Sequence, residues 1–179
     1  MKRVWIASAV LLVSSGLGLA AQGNSGKNNN TKPQSAIAVT LNGLGCSTTA
    51  GTDAFSALGW SWGATNTGDL SSGGGGGAGK VNAGDVNVSK PFDACSPLLF
   101  GAVATGKHFQ SLTLTQSNSD GTATTLQLTD VIVSSWQAGG SVASAAASEN
   151  VSFAFAKVCL TDGPSGTKFC YDLKANKTF

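Results

Sequence analysis

The stretch "NVSFAFAKVCLTDGPSGTKFCYDL", Asn150 to Leu173, sets two runs of strand-forming residues on either side of "TDGPSG". Asp, Gly, Pro and Ser together are the chemistry of a tight turn, so the two runs read as a β-hairpin. A turn centred between Pro164 and Ser165 places Cys159 opposite Cys170 and Lys157 opposite Asp172. Directly opposed antiparallel residues have Cα atoms about 4.5 to 5.5 Å apart, a separation that a disulfide accepts. The register therefore predicts a bridge between Cys159 and Cys170. The two remaining cysteines, Cys46 and Cys95, pair by elimination and close a longer loop. Zinc would want close cysteine pairs or several histidines, and His108 is the single histidine.

Upstream, the same two-residue period recurs. "IAVTLNGL" aligns Ile37, Val39 and Leu41, and "ALGWSWGA" aligns Leu58, Trp60 and Trp62, read as a core-facing side of a strand. "FQSLTLTQ" aligns Leu112 with Leu114, and beyond the turn "SNSDG" the run "ATTLQLTDVIVSSW" carries Leu126, Leu128, Ile132 and Trp136 on one parity. These two runs predict a second hairpin. Residues 137–148 are small and polar, a loop in which the alanines could form a short helix. The clear helix is "SPLLFGAVATG": Ser96 suits the N-cap, Pro97 the first turn and Gly106 the left-handed exit, with Leu99, Ala102 and Val103 on the buried face.

The run "GGGGGAGK", Gly73 to Lys80, nearly satisfies a phosphate-binding loop. Such a loop needs a hydroxyl residue after the lysine and a helix whose N-terminal N–H groups face the anion. Here Val81 follows, and "VNAGDVNVS" alternates as a strand with a bulge at Gly84 and Asp85. The glycines are therefore a slack connection between strands.

The opening "MKRVWIASAVLLVSSGLGLA" has the cationic, apolar and small-residue regions of a signal peptide, cleaved after Ala20. Residues 21–36 hold almost no large apolar side chain and read as a disordered tether, leaving 37–179 as the folded domain. Loss of Lys2 and Arg3 reduces 11 cationic residues to nine, against nine acidic ones. A neutral chain lacks the electrostatic attraction that dominates nucleic-acid binding, and an exported one suits disulfides. Catalytic signs are sparse: His108 stands at the helix exit, no GxSxG or HExxH accompanies it, and Asp69, Asp85, Asp93 and Asp130 are scattered. Asp130, flanked by apolar strand residues, is the carboxylate to check for burial.

Four blocks, "GWSWGATNTGDLSSGGGGGAGK", "SPLLFGAVATGKH", "DVIVSSW" and "FAKV", together resemble the haemolysin-coregulated protein (Hcp) family, the tube subunit of type VI secretion. The resemblance runs from about Ile37 to Val158. It implies a mainly β fold, a small antiparallel β-barrel of two sheets with one short α-helix, whose copies form hexameric rings that stack into a tube. It also implies a subunit-contact loop comprising Thr65, Asn66, Thr67, Gly68, Asp69, Leu70, Gly73, Gly74, Gly75, Gly76, Gly77, Gly79 and Lys80. No catalytic, cofactor or metal residue is implied; the partners are further copies, and secreted effectors or apparatus proteins. The leader and the four cysteines depart from the family's cytoplasmic habit. They point to a secreted or periplasmic form, and admit a second function class, an exported β-barrel binding module without tube formation.

Overall fold

A computed structural model of the chain describes residues 34–68, 79–144 and 146–179. The leader, nearly all of the tether, Asp69, Leu70 and Gly73 to Gly77 lie outside the described residues. In chain order the elements are β1 (Ala36–Leu41), β2 (Ser47–Thr48), β3 (Gly51–Thr52), β4 (Ala54–Ala57), β5 (Gly59–Ser61), β6 (Ala64–Asn66), β7 (Val81–Ala83), β8 (Val86–Pro91), α1 (Ser96–Thr105), β9 (His108–Ser117), β10 (Ala123–Gly139), β11 (Ser148–Asp162), β12 (Lys168–Asp172) and β13 (Lys177–Thr178). The fold is mainly β with one short helix.

Nine strands form one antiparallel sheet in the order β13-β12-β11-β10-β9-β1-β4, with β8 added to β11 and β5 to β8. Two ribbons, β2–β3 and β6–β7, stand apart from it. The expected barrel is not a closed ladder among the described residues. β4 pairs with β1 at one end of the circuit, β5 pairs with β8 at the other, and the chain itself joins them at Leu58. The Leu58 N–H donates to Ser89 O at 2.8 Å, but its side chain is 67% exposed. That corrects the inward reading of Leu58; Trp60 and Trp62 are half-buried against the core.

Both hairpins form. β9 and β10 pair Leu112 with Leu128 and Leu114 with Leu126, all fully buried, while β11 and β12 pair Cys159 with Cys170 and Lys157 with Asp172. One expectation fails further along β10. Leu126 and Leu128 face inward, but beyond Asp130 the buried residues are Val131 and Val133 rather than Ile132. Asp130 has φ 54°, and at its level the inward parity changes in β9 and β11 as well, from Leu112 to Phe109 and from Val158 to Phe153. One residue in the left-handed region thus accompanies a change of facing across three strands. β10 runs on to Gly139 and β11 starts at Ser148, so the expected loop is shorter than residues 137–148.

The interruption at Gly84 and Asp85 also does more than bulge a strand. β7 belongs to the outlying ribbon and β8 to the main sheet, so the chain changes sheets there.

α1 lies on β10, burying Leu99 and Ala102. Gly106 closes it at φ 63°, where Lys107 N donates to Ala102 O and Gly106 N to Val103 O. This is the Schellman pattern that satisfies the last carbonyls. At the other end the N-cap is Cys95, without a side-chain cap, and Ser96 is buried inside the first turn. Its Oγ instead accepts the N–H of Asp93 and donates to Glu149.

Candidate functional site

The described ends of the expected subunit-contact segment form a two-stranded ribbon separate from the main sheet. β6 and β7 pair Ala64 with Ala83, Thr65 with Asn82 and Asn66 with Val81, and all three β6 residues are exposed. Beyond them the Thr67 hydroxyl donates to Lys80 O at 3.3 Å and the Gly68 N–H to Asn66 Oδ1 at 2.8 Å. The two arms approach so closely that a Cβ at Gly79 would collide with the backbone of Thr67 and Gly68. Lys80 leads directly into strand β7, so no helix N-terminus faces an anion there. At its root the ribbon is pinned to the sheet. The Gly84 N–H donates to Gly63 O, Trp62 Nε1 donates to Gly84 O, and the Trp62 ring meets Phe155 edge-on at 6.0 Å.

Between this ribbon and the C-terminal hairpin lies a groove of about 250 Å³, lined chiefly by Trp62, Ala64, Val81, Leu160, Phe169 and Tyr171. Among the described residues no charged side chain lines it. Leu160 is 40% and Phe169 60% exposed, an apolar wall that water reaches. β12 carries that wall and, among the described residues, pairs only with β11 and β13. The bridge Cys159–Cys170, S–S 2.02 Å, fastens it. Lys157 and Asp172 add an ion pair at 3.1 Å, and Asp172 is held below the usual carboxylate range first by the backbone N–H of Ala175 and then by Lys157.

At the far end of β11 a different constellation is enclosed. Lys90 on β8 and Glu149 on β11 are fully buried and meet at 2.7 Å. Lys90 Nζ also reaches Asp93 at 2.8 Å, Pro91 O at 2.9 Å and Ser96 Oγ at 3.2 Å, while Trp136 Nε1 donates to the second Glu149 oxygen. Every polar group has a partner, as burial of charge requires. The cluster joins β8, β10, β11 and the start of α1, and the bridge Cys46–Cys95 ties the same helix entrance to the chain after β1. Sequence reasoning missed Lys90 and Glu149. The signal existed: Lys90 is in phase with inward Val86 and Val88, and Glu149 with inward Val151 and Phe153.

The remaining titratable candidates do not converge. His108 begins β9 and its Nδ1 lies 3.2 Å from Asp130, with side chains 72% and 59% exposed. Asp130 is thus a surface residue. Their shallow pocket is otherwise lined by Ile132, Ala154, Phe155 and Ala156, none of which can attack or shuttle a proton. Asp85 accepts the Ser134 hydroxyl, Asp93 belongs to the buried cluster, and Asp69 lies outside the described residues. Among the described residues no group of three or more His, Cys, Asp or Glu is placed to hold a metal, and no helix is long and apolar enough to cross a membrane.

The sequence profile described as "Type VI secretion system effector, Hcp" matches residues 25–161 of the chain. Among solved structures, one described as a type six secretion system protein is 25% identical, with a TM-score of 0.69, and the match covers 80% of this chain and 99% of that one. Hcp1 from Salmonella typhimurium is 24% identical, with a TM-score of 0.68 and coverage of 82% and 100%. Hcp2 from the same organism is 21% identical at a TM-score of 0.61, covering 79% and 98%. The likeness to both Salmonella proteins is one of fold. No curated protein matches the chain at a significant level.

Proposed function

The chain belongs to the Hcp family of type VI secretion, and on that premise we propose that it is a non-catalytic structural protein whose copies assemble into closed hexameric rings able to stack. The observation that carries this reading is the ribbon β6–β7, separate from the main sheet, exposed along β6 and rooted at Trp62. A ring needs a heterologous contact, in which one surface of each copy meets a different surface of the next. A ribbon outside the main sheet is suited to that reach. The segment from Thr65 to Lys80 is then the arm that touches neighbouring copies.

The same reading assigns residues 1–20 to an export signal removed after Ala20 and residues 21–36 to a tether, whose last residue, Ala36, opens β1. Export to a secreted or periplasmic location agrees with two bridges, which persist in an oxidising space. Light scattering and negative-stain microscopy of the exported, oxidised chain test the proposal. Annular particles are expected, and shortening 68–79 to a two-residue turn is expected to abolish them without unfolding the domain. A strict monomer at high concentration overturns the ring and leaves the exported binding module.

A further inference from the structure

We propose that the outer face of α1 on one copy docks into the apolar groove of the next. The inference rests on the ring reading and names its two surfaces. α1 is apolar on both sides: Leu99 and Ala102 face inward, while Leu98 is 41% and Phe100 54% exposed. A helix apolar all round belongs between two packed surfaces. Here β10 covers one side, with Phe100 half-supported by Trp136 at 5.2 Å between ring centres.

The groove supplies a fitting second surface. Its 250 Å³ can take one or two large side chains, and its exposed Leu160 and Phe169 are apolar like the knob. Among the described residues neither surface carries a charge: the ten residues of α1 contain no ionisable side chain, and neither does the groove lining. A charged partner would lose hydration against either one without a counter-charge, whereas a copy of this same chain presents a matching uncharged knob.

Position makes the contact head-to-tail. Trp136, under Phe100, pairs with Val151, and Leu160 in the groove lies nine residues further along β11, about 30 Å away at strand rise. A knob at one end and a socket at the other cannot satisfy each other within one copy. They can do so between copies, the arrangement that yields rings or stacks.

Two variants test this, Phe100→Asp and Phe169→Lys, both at exposed positions so that each should fold with an unchanged circular dichroism spectrum. Wild type is expected to assemble and each variant alone to fall to the mass of a single chain. Mixing the two is expected to restore association to at least dimers, because the intact helix of Phe169→Lys meets the intact groove of Phe100→Asp. Wild-type rings that survive both substitutions overturn the docking and leave the ring reading standing. Monomeric variants that stay monomeric when mixed also overturn it, and a monomeric wild type sinks both readings.

Discussion

The two disulfides sit in contrasting surroundings. Cys46 and Cys95 are 5% and 0% exposed and close a span of 49 residues, beside the enclosed Lys90–Glu149 pair and the entrance to α1. Cys159 and Cys170 span 11 residues and fasten a peripheral strand that, among the described residues, pairs only with β11 and β13. One bridge reinforces a region that already has apolar packing and a satisfied ionic network. The other holds the wall of an open groove, together with the β11–β12 ladder and the Lys157–Asp172 ion pair. The difference separates a part of the molecule built to stay closed from a part built to present a surface.

The sharpest way to break that contrast is at Glu149. Replacing it with Ala leaves Lys90 buried without its main counter-charge and is expected to cost about 3 to 5 kcal/mol, read by urea unfolding of the oxidised chain. A loss under 1 kcal/mol would mean that water reaches the cluster. Next come the bridges themselves. Converting Cys46 and Cys95 to Ala is expected to lower stability by about 4 kcal/mol, and converting Cys159 and Cys170 by about 3 kcal/mol, from loop closure alone. The second pair of substitutions should loosen the groove wall selectively. Hydrogen exchange is expected to rise in β12 and β13 and to stay low in β9 and β10.

The smallest expected effect is acidic. Asp172 titrates below the ordinary aspartate range in the folded chain, chiefly because the Ala175 N–H binds the carboxylate. A depressed acid stabilises the fold above its unfolded pKa, about 3.9, and that contribution disappears as pH falls from there through the folded value. Asp172→Asn is therefore expected to flatten the loss of hairpin order below about pH 4, followed by hydrogen exchange, and to leave the α1 end unaffected. An equal change at both ends would dissolve the distinction.

The outline of the fold was legible because strand period, turn chemistry and cysteine register act locally. Cys159 faces Cys170 for the same reason that Asp162, Pro164 and Ser165 turn the chain: opposed positions are counted outward from the turn. Gly106 likewise ends α1 through its own φ. What was not legible depended on distant neighbours. Leu58 follows the strand period, yet it falls where the chain passes from pairing β1 to pairing β8, and its side chain turns outward. Ser96 has the right side chain for a cap but is drawn into the buried cluster by Glu149, 53 residues away. Ile132 lost its inward place to Val131 because Asp130 takes a left-handed conformation that a strand pattern does not announce. Of the candidate site, the ribbon root was foreseeable from Trp62 and the glycines around it. The groove was not, since its walls come from residues 62 to 83 and 158 to 173, segments that meet only after folding.

The junction at Leu58 carries a mechanical consequence. Because a peptide segment, and not a row of hydrogen bonds, joins the two ends of the sheet there, the structure is a hoop with a covalent seam. A single proteolytic nick at that exposed residue would leave two margins that no ladder joins, held together by core packing alone. Such margins recruit strands from other molecules, so seam cleavage should turn a discrete particle into an aggregating one.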